Sequence, residues 1–557
     1  MKSIPYLRLV AWGTVAIFLI IGAVVAVAFP IHASDALTFG TWSRLISEHW
    51  HFNEPQTGAS AYSRPLFYAL QGWMWGLIGY SDVSGRLLCG LFSLLLVGAL
   101  AWAVSARPWG RVAAAVVGLL VVATPVFANQ VVATLTDVFV AAFIALTGAL
   151  LFRPLTRGRL QSLAVGAAAT LAVLAKPSAI PALLGLGVAQ LLVREPLRRR
   201  VLFRIVPLAG GVVLGFLYYI VQAAHLGIGL RSFLEAGVRG PYYSSLADQT
   251  RRYEILNAGW FGNTLRSLLM FTLLYAAVRI GGVVHRRAIV AVVPAVALLS
   301  WLLPWLANHE RAFTVGAFAN PSSVAAWLLT TVALAAAVVA PATAVPERAE
   351  LAQFALWMVG PLVAWMTFAT YDDRLLSAAW PGLFGLMALC AVPAIAALTR
   401  VRSPIVALAP VAALAVVAAE NVYNIDGLQR SGWSQWRRTD AAKQFDHDTT
   451  RRIVLPSLSR ALDAVRPLMG PTDRLLSPEG AFAFFFPGRV EQTFPIACDN
   501  LARVRVFVLT TDQGSKRYME DFLHVSGEPS FWAACASPHL TQITSGSEGY
   551  AVFRVGR

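Results

Sequence analysis

The sequence predicts an all-α, polytopic membrane domain of about thirteen transmembrane helices followed by a small C-terminal α/β unit. Three observations carry this. Of the 557 residues, 57% are hydrophobic and only 13% are charged, against about 25% charged in a soluble domain. Apolar stretches long enough to cross a bilayer recur from residue 8 to about residue 420. Beyond that point hydropathy falls and short alternating segments replace the long apolar ones. Residues 1–423 are therefore read as the membrane domain and 424–557 as the appended unit.

The spans begin near residues 8, 84, 111, 137, 160, 178, 202, 264, 288, 323, 351, 375 and 403. The first, Arg8 to Phe29, has no small-residue cleavage site and is read as a retained helix rather than a signal peptide. Basic residues cluster in alternate connections: Arg107 and Arg111; Arg153, Arg157 and Arg159; Arg194, Arg198, Arg199, Arg200 and Arg204; Arg279, Arg286 and Arg287; Arg400 and Arg402. The positive-inside rule assigns these, and the N-terminus with Lys2 and Arg8, to the cytoplasm of a plasma (inner) membrane protein. An odd span count then leaves everything after Tyr423 extracytoplasmic. The net charge of +16 faces anionic headgroups under this topology and does not call for nucleic acid.

Between the spans, the first outer loop, 30–83, is long. Leu37, Phe39, Trp42, Leu45 and Ile46 recur at helical spacing, which predicts an amphipathic interfacial helix over 36–50. Pro65 to Tyr80 is aromatic and reads as a second interfacial helix or a short re-entrant segment. The Ala224–Asn263 loop is polar and tyrosine-rich; a mobile cover over a site and an ordinary connection are both open readings. In the tail, Arg503–Thr511, Tyr550–Val555 and Asp473–Leu476 read as strands and Ser457–Leu468 as a helix. The tail either binds an acceptor or braces the outer loops. Cys89 and Cys390 fall in spans, as buried small apolar residues. Cys498 and Cys535 form a disulfide in an oxidising compartment or remain two buried thiols.

Ionisable residues at a membrane edge are costly and point to function by default. On the predicted outer side stand Asp35, Arg64, Arg86, Asp137 and Lys176, then Asn308-His309-Glu310-Arg311 and Tyr371-Asp372-Asp373-Arg374. Each has a structural alternative. Asp35 is a strong N-cap for the 36–50 helix, Arg64 and Lys176 can snorkel to headgroups, Asp137 can pair with a basic neighbour, and 371–374 can be a polar turn. His309 and Glu310 lack metal-ligand spacing, so a solvated loop is the better reading and no metal is called for. Together, however, a carboxylate base, several cations and an apolar groove are the components for moving a sugar from a lipid phosphate. The cations stabilise the phosphate as it leaves, and the carboxylate takes the proton of the acceptor hydroxyl.

These positions resemble the GT-C glycosyltransferases, specifically glycosyltransferase family 39, which holds the protein O-mannosyltransferases and the lipid A aminoarabinose transferase. Asp35 is followed by Arg44 at the family's offset. Tyr62-x-Arg64-Pro65-Leu66-Phe67-Tyr68 resembles the aromatic, basic, proline segment. Gly79-Tyr80-Ser81-Asp82-Val83-Ser84-Gly85-Arg86-Leu87 resembles the start of the second helix, and Leu135-Thr136-Asp137 the second family acid. Leu174-Ala175-Lys176 is similar to the family's Leu-Thr-Lys, and Arg374-Leu375-Leu376 with Pro381 to its Arg-Tyr-Leu-Leu-Pro.

The resemblance implies an inverting transferase that takes sugar from a polyprenyl-phosphate donor at the extracytoplasmic face. The acceptor would be a cell-envelope glycan, lipid or protein, with no cofactor required. Asp35 is implied as base or acceptor-positioning acid, and Asp137 as organiser of the outer site. Arg64, Lys176, Arg374 and Tyr371 are implied donor-phosphate ligands, Tyr371 substituting for the tyrosine that Leu375 replaces. Arg44, Arg86, Asp372, Asp373, His309 and Glu310 are accessory candidates. Ala36 stands where a second acid often follows, which weakens a paired-carboxylate or metal-assisted version. The rival readings are a transporter or flippase of lipid-linked sugars and a non-catalytic envelope-assembly subunit. Transporters usually place polar groups at the midplane and carry internal repeats; here the polar groups gather at one edge.

Overall fold

The computed structural model describes residues 3–28, 40–44, 46–47, 64–79, 82–105, 110–124, 127, 136–153, 158–227, 229–230, 262–280, 347–368, 373–398, 412–414, 416, 452, 456–477, 481–486, 489–491, 501, 503–510, 540–544 and 550–556. Helices dominate: α1 (Ser3–Ala28), α2 (Pro65–Ile78), α3 (Asp82–Ser105), α4 (Gly110–Val122), α5 (Asp137–Phe152), α6 (Gly158–Ala175), α7 (Ile180–Ala189), α8 (Val206–His225), α9 (Gly262–Ile280), α10 (Arg348–Phe368) and α11 (Trp380–Leu398). The spans expected near 8, 84, 111, 137, 160, 178, 202, 264, 351 and 375 each coincide with one of these. Those near 288 and 323, and most of that near 403, lie outside the described residues.

Four of the described helical segments are long and apolar enough to cross a membrane: Val83–Ser105, Gly158–Ala175, Leu197–His225 and Trp380–Ala397. Their surroundings differ. α11 is almost wholly inside the protein, whereas α8 exposes Val213, Leu214, Leu217 and Val221 along one face, as a helix bordering lipid does.

α5 lies at the centre. It carries no charge between Asp137 and Arg153, and it is buried on nearly every side by α3, α6, α11 and a 3₁₀ turn at Asp373–Ala378. At 1.5 Å per residue its 16 residues span about 24 Å. Small residues and hydroxyls let the neighbours approach, as is usual between membrane helices. Thr170 Oγ1 donates to Gly211 O at 3.0 Å, and Ser162 Oγ to Phe203 O at 2.9 Å, so α6 and α8 run side by side in the same direction. The Trp357 ring of α10 occupies the space that a Cβ on Gly148 would need.

One end of this bundle is closed by Arg204. Its guanidinium grips Glu195 with both nitrogens, at 2.6 and 2.9 Å, and also donates to the carbonyls of Leu151 and Arg153. These are terminal carbonyls of α5 that have no partner within the helix. Arg153 in turn donates to Trp102 O and Ser105 Oγ, tying α3 to the same end.

The described residues of the tail contain α12 (Pro456–Val465), α13 (Ala481–Phe485) and five strands, β1 (Leu475–Leu476), β2 (Val490–Glu491), β3 (Val506–Thr510), β4 (Leu540–Gln542) and β5 (Tyr550–Val555). They form one sheet in the order β2-β1-β3-β5-β4. β1 is parallel to β2 and β3, while β5 runs antiparallel to β3 and β4, with Val508 opposite Val552. All three expected strands and the expected helix are present, and β2, β4 and α13 are additional. Cys89 and Cys390 are buried thiols outside any disulfide. Cys498 and Cys535 lie outside the described residues.

Candidate functional site

At the end of the bundle opposite Arg204, the termini of α5 and α6 meet. Asp137 is the first residue of α5, where a carboxylate is favoured by the helix dipole. Lys176 follows the last residue of α6. Pro177 cannot continue a helix and holds the residue before it extended, and Lys176 has φ −169° and ψ 135°. That extended step directs the side chain across to α5, where Lys176 Nζ donates to Asp137 Oδ1 at 2.7 Å. The pair is nearly enclosed, with 11% and 4% of the two side chains exposed. Ser377 Oγ lies 3.4 Å from the same carboxylate oxygen, bringing in the 373–378 turn. Asp373 and Arg374 belong to that turn by their backbone.

Arg64 stands immediately before α2, with Pro65 in the first helical turn, a position that suits proline because its missing N–H would have no helical partner. Two contacts bring it to this end. Phe67, one turn on, packs edge-to-face on Phe139 at 4.9 Å, two residues beyond Asp137. Arg64 and Tyr68 also lie within electrostatic reach of the Tyr219 hydroxyl. That hydroxyl donates to Val173 O at 2.8 Å, in the last turn of α6. Asp137, Lys176 and the Arg64 end of α2 thus converge, although they are far apart in sequence. A nearly enclosed ion pair, with a second cation at the same end of the bundle, can hold an anionic group with little screening.

The remaining candidates are distributed differently. Arg86 is buried within the packing of α3, one turn from Cys89, on which its charge acts. Arg44 reaches the tail, where Nη1 donates to Phe484 O at 3.2 Å. Asp35, Tyr371, Asp372, His309 and Glu310 lie outside the described residues. Among the described residues, no three His, Cys, Asp or Glu side chains gather as a metal-binding group.

Sequence reasoning did not select Ser377, Tyr68 or Tyr219. Ser377 sits in Arg374-Leu375-Leu376-Ser377, and a lone serine there carries no signal of its own. Tyr219 is one of two adjacent tyrosines in an otherwise apolar span, and a buried tyrosine in such a span usually finds a hydroxyl partner. That consideration could have flagged it.

Residues 62–224, which include Arg64, Asp137 and Lys176, match the family of dolichyl-phosphate-mannose-protein mannosyltransferases. Across 97% of both chains the structure aligns with ArnT from Cupriavidus metallidurans bound to undecaprenyl phosphate, with a TM-score of 0.51 and 15% identity. For ArnT of the same organism in the apo state the values are 0.48 and 15%, over 97% of this chain and 96% of that one. No curated protein sequence matches the chain. The chain therefore shares the fold of ArnT, and its 62–224 segment is similar in sequence to the mannosyltransferase family.

Proposed function

We propose that the protein is an inverting glycosyltransferase that moves a sugar from a polyprenyl-phosphate donor to a cell-envelope glycan, lipid or protein at the extracytoplasmic face. The observation that carries this is the enclosed Asp137–Lys176 pair at 2.7 Å, with Arg64 at the same end of the bundle, inside the segment similar to the mannosyltransferases. The ArnT structure with undecaprenyl phosphate bound supports a lipid phosphate as the ligand, and in this reading it binds at that end.

In this reading the acceptor hydroxyl oxygen attacks the anomeric carbon from the face opposite the phosphate. The bond between anomeric carbon and phosphate oxygen breaks, its electrons leave with the polyprenyl phosphate, and configuration inverts. Asp35 takes the hydroxyl proton, a contribution of about 10²–10⁴-fold. Lys176, Arg64 and Arg374, with Tyr371, stabilise the negative charge that grows on the phosphate, each donor contributing on the order of 10²–10³-fold in kcat. Asp137 orients Lys176. An ammonium on a flexible stem is a point charge with no preferred direction, and a carboxylate bonded to it at the start of a rigid helix supplies one.

The test is transfer by purified protein from a panel of radiolabelled polyprenyl-phosphate sugars to envelope extract, comparing wild type with Asp35→Asn and Lys176→Met. Transfer by wild type, lost in Asp35→Asn with undecaprenyl phosphate still bound, is the expected result. Equal transfer by wild type and Asp35→Asn would remove Asp35 from the mechanism. Folded wild-type protein that transfers nothing from any donor would favour a transporter or an assembly subunit.

A further inference from the structure

The first outer loop and the C-terminal tail, separated by more than four hundred residues in sequence, meet at one point. Residues 40–44 and 46–47 are helical and fit tightly on α2. Ser43 Oγ donates to Gln71 Oε1 at 2.7 Å, with both residues buried. A Cβ on Gly72 would fall 2.6 Å from Ser43 O and 2.7 Å from Ile46 Cβ, so α2 approaches this helix as closely as a side-chain-free residue allows. A neighbouring face of the helix meets α13. A Cβ on Gly40 would lie 2.8 Å from Phe484 Cε2, 3.0 Å from Phe484 Cδ2 and 3.7 Å from the Trp75 ring. Arg44, one turn later, donates Nη1–H to the Phe484 carbonyl at 3.2 Å. Phe484 is thus gripped twice, by its ring at Gly40 and by its carbonyl at Arg44.

α13 is itself anchored. Phe482 packs edge-to-face on Tyr550 of β5 at 5.9 Å. Phe486 N donates to Phe482 O at 3.0 Å, and Arg489 N to Phe486 O at 3.1 Å. The Arg489 guanidinium lies 5.4 Å from the Phe486 ring centre, leading directly into β2. A wedge mounted on a sheet therefore presses on the helical residues 40–44, which lie five to nine residues after Asp35 in the sequence.

We propose that Phe484, with Gly40 and Arg44, is a positioning clamp through which the C-terminal unit fixes the helical residues 40–44 and 46–47, which follow Asp35 closely in the chain. The contact stands independently of the reaction; its catalytic consequence rests on the transferase reading above. A clamp of this kind acts on the acceptor base and leaves the donor-phosphate end, Lys176 and Asp137, unchanged. Its loss lowers kcat and spares the donor KM.

The experiment uses the full chain in detergent, with the variants Gly40→Ala, Phe484→Leu and the double substitution. Amide exchange of the peptide covering 40–47 is followed alongside steady-state transfer from the polyprenyl-phosphate sugar accepted by the wild type. Phe484→Leu is expected to speed exchange at 40–47 about tenfold without altering α5 or α6. Gly40→Ala, whose new methyl meets the ring, should lower kcat at least tenfold with donor KM within twofold. In the double variant the smaller Leu makes room, and kcat should return to within threefold of Phe484→Leu alone. Unchanged exchange at 40–47 in Phe484→Leu would overturn the clamp, as would multiplicative, uncompensated effects in the double variant. If the wild type transfers no sugar, the transferase reading fails by itself, and the exchange arm still decides whether Phe484 holds the helix.

Discussion

Asp137 and Lys176 are a pair whose parts cannot be removed independently, and a mutant cycle measures this. At 2.7 Å and an effective dielectric of about 20, the gross attraction of two unit charges is roughly 6 kcal/mol. Desolvation of a pair this enclosed offsets much of that, because the effective penalty is several kcal/mol per ion. The asymmetry is more telling than the net. Asp137→Asn leaves a buried ammonium without its counter-charge, and Lys176→Met leaves a buried carboxylate, so each is expected to cost about 3–5 kcal/mol. In the double variant, Asp137→Asn with Lys176→Met, no uncompensated charge remains. Its cost should fall at least about 2 kcal/mol short of the sum of the singles, well outside the ~0.5 kcal/mol scatter of independent sites. Chemical unfolding of the four proteins in mixed micelles reads the stability cycle. Undecaprenyl phosphate titration reads the functional one. Asp137→Asn should weaken binding about tenfold in the wild-type background and have no further effect once Lys176 is Met. Additivity in both readouts would refute the claim that Asp137 acts through Lys176.

Other perturbations probe the frame that holds this pair. Arg204→Met strands the partly buried Glu195 carboxylate and exposes the Leu151 and Arg153 carbonyls to an apolar side chain. A loss of about 3–5 kcal/mol is expected, read as a lower unfolding midpoint in detergent, and Arg204→Met with Glu195→Gln should recover part of it. Gly148→Leu forces a side chain into the space of the Trp357 ring; overpacking of this kind costs about 1–3 kcal/mol or more, and Trp357→Ala in the same chain should relieve it, measured by thermal unfolding. Arg64→Gln should raise the half-saturation concentration for undecaprenyl phosphate by a larger factor than it shifts the unfolding equilibrium, because Arg64 precedes the first turn of α2 and is only partly buried.

The helices were legible in the sequence because a membrane span is written as local hydrophobicity. Leu135-Thr136-Asp137 and Leu174-Ala175-Lys176-Pro177 each mark a charge at a span terminus, and the alternation of basic connections places both at one side. The bond between them was not legible. It depends on α5 and α6 being neighbours and on Pro177 holding Lys176 extended; sequence distance contains neither fact. The sequence supports both pairing and function for Asp137, and the geometry joins the two, since pairing Lys176 is what would make Asp137 functional. Ser377 could be found only by folding, because the 373–378 turn reaches Asp137 from 240 residues away in sequence. The tail strands Val506–Thr510 and Tyr550–Val555 were readable from valine-rich alternation. The two-residue strands β1 and β2 are set by pairing alone, and Asp473–Leu476 hinted at only one of them. Phe484 lies in Phe482-Ala483-Phe484-Phe485-Phe486, and nothing in that aromatic run singles out the ring that seats on Gly40.

Precision at the candidate site follows from how α5 is held at both of its ends. Its N-terminus, the positive end of the helix dipole, carries the Asp137 carboxylate; its C-terminus, the negative end, is capped by the Arg204 guanidinium on the Leu151 and Arg153 carbonyls. Each end therefore meets the charge sign that stabilises it, and each of those charges is balanced by a partner from another element, Lys176 beyond α6 and Glu195 before α8. A helix fixed this way cannot slide along its axis without breaking a buried ion pair. A slip of one residue along the helical screw would move Asp137 by about 1.5 Å and turn it by roughly 100° about the axis, taking it away from the Lys176 ammonium it meets at 2.7 Å. Building the site on a clamped rod rather than a loop is what holds a charged group within the tolerance that catalysis requires, about 0.5 Å. It also makes Arg204, some 24 Å from Asp137 by the length of α5, a residue whose loss should be felt at Lys176.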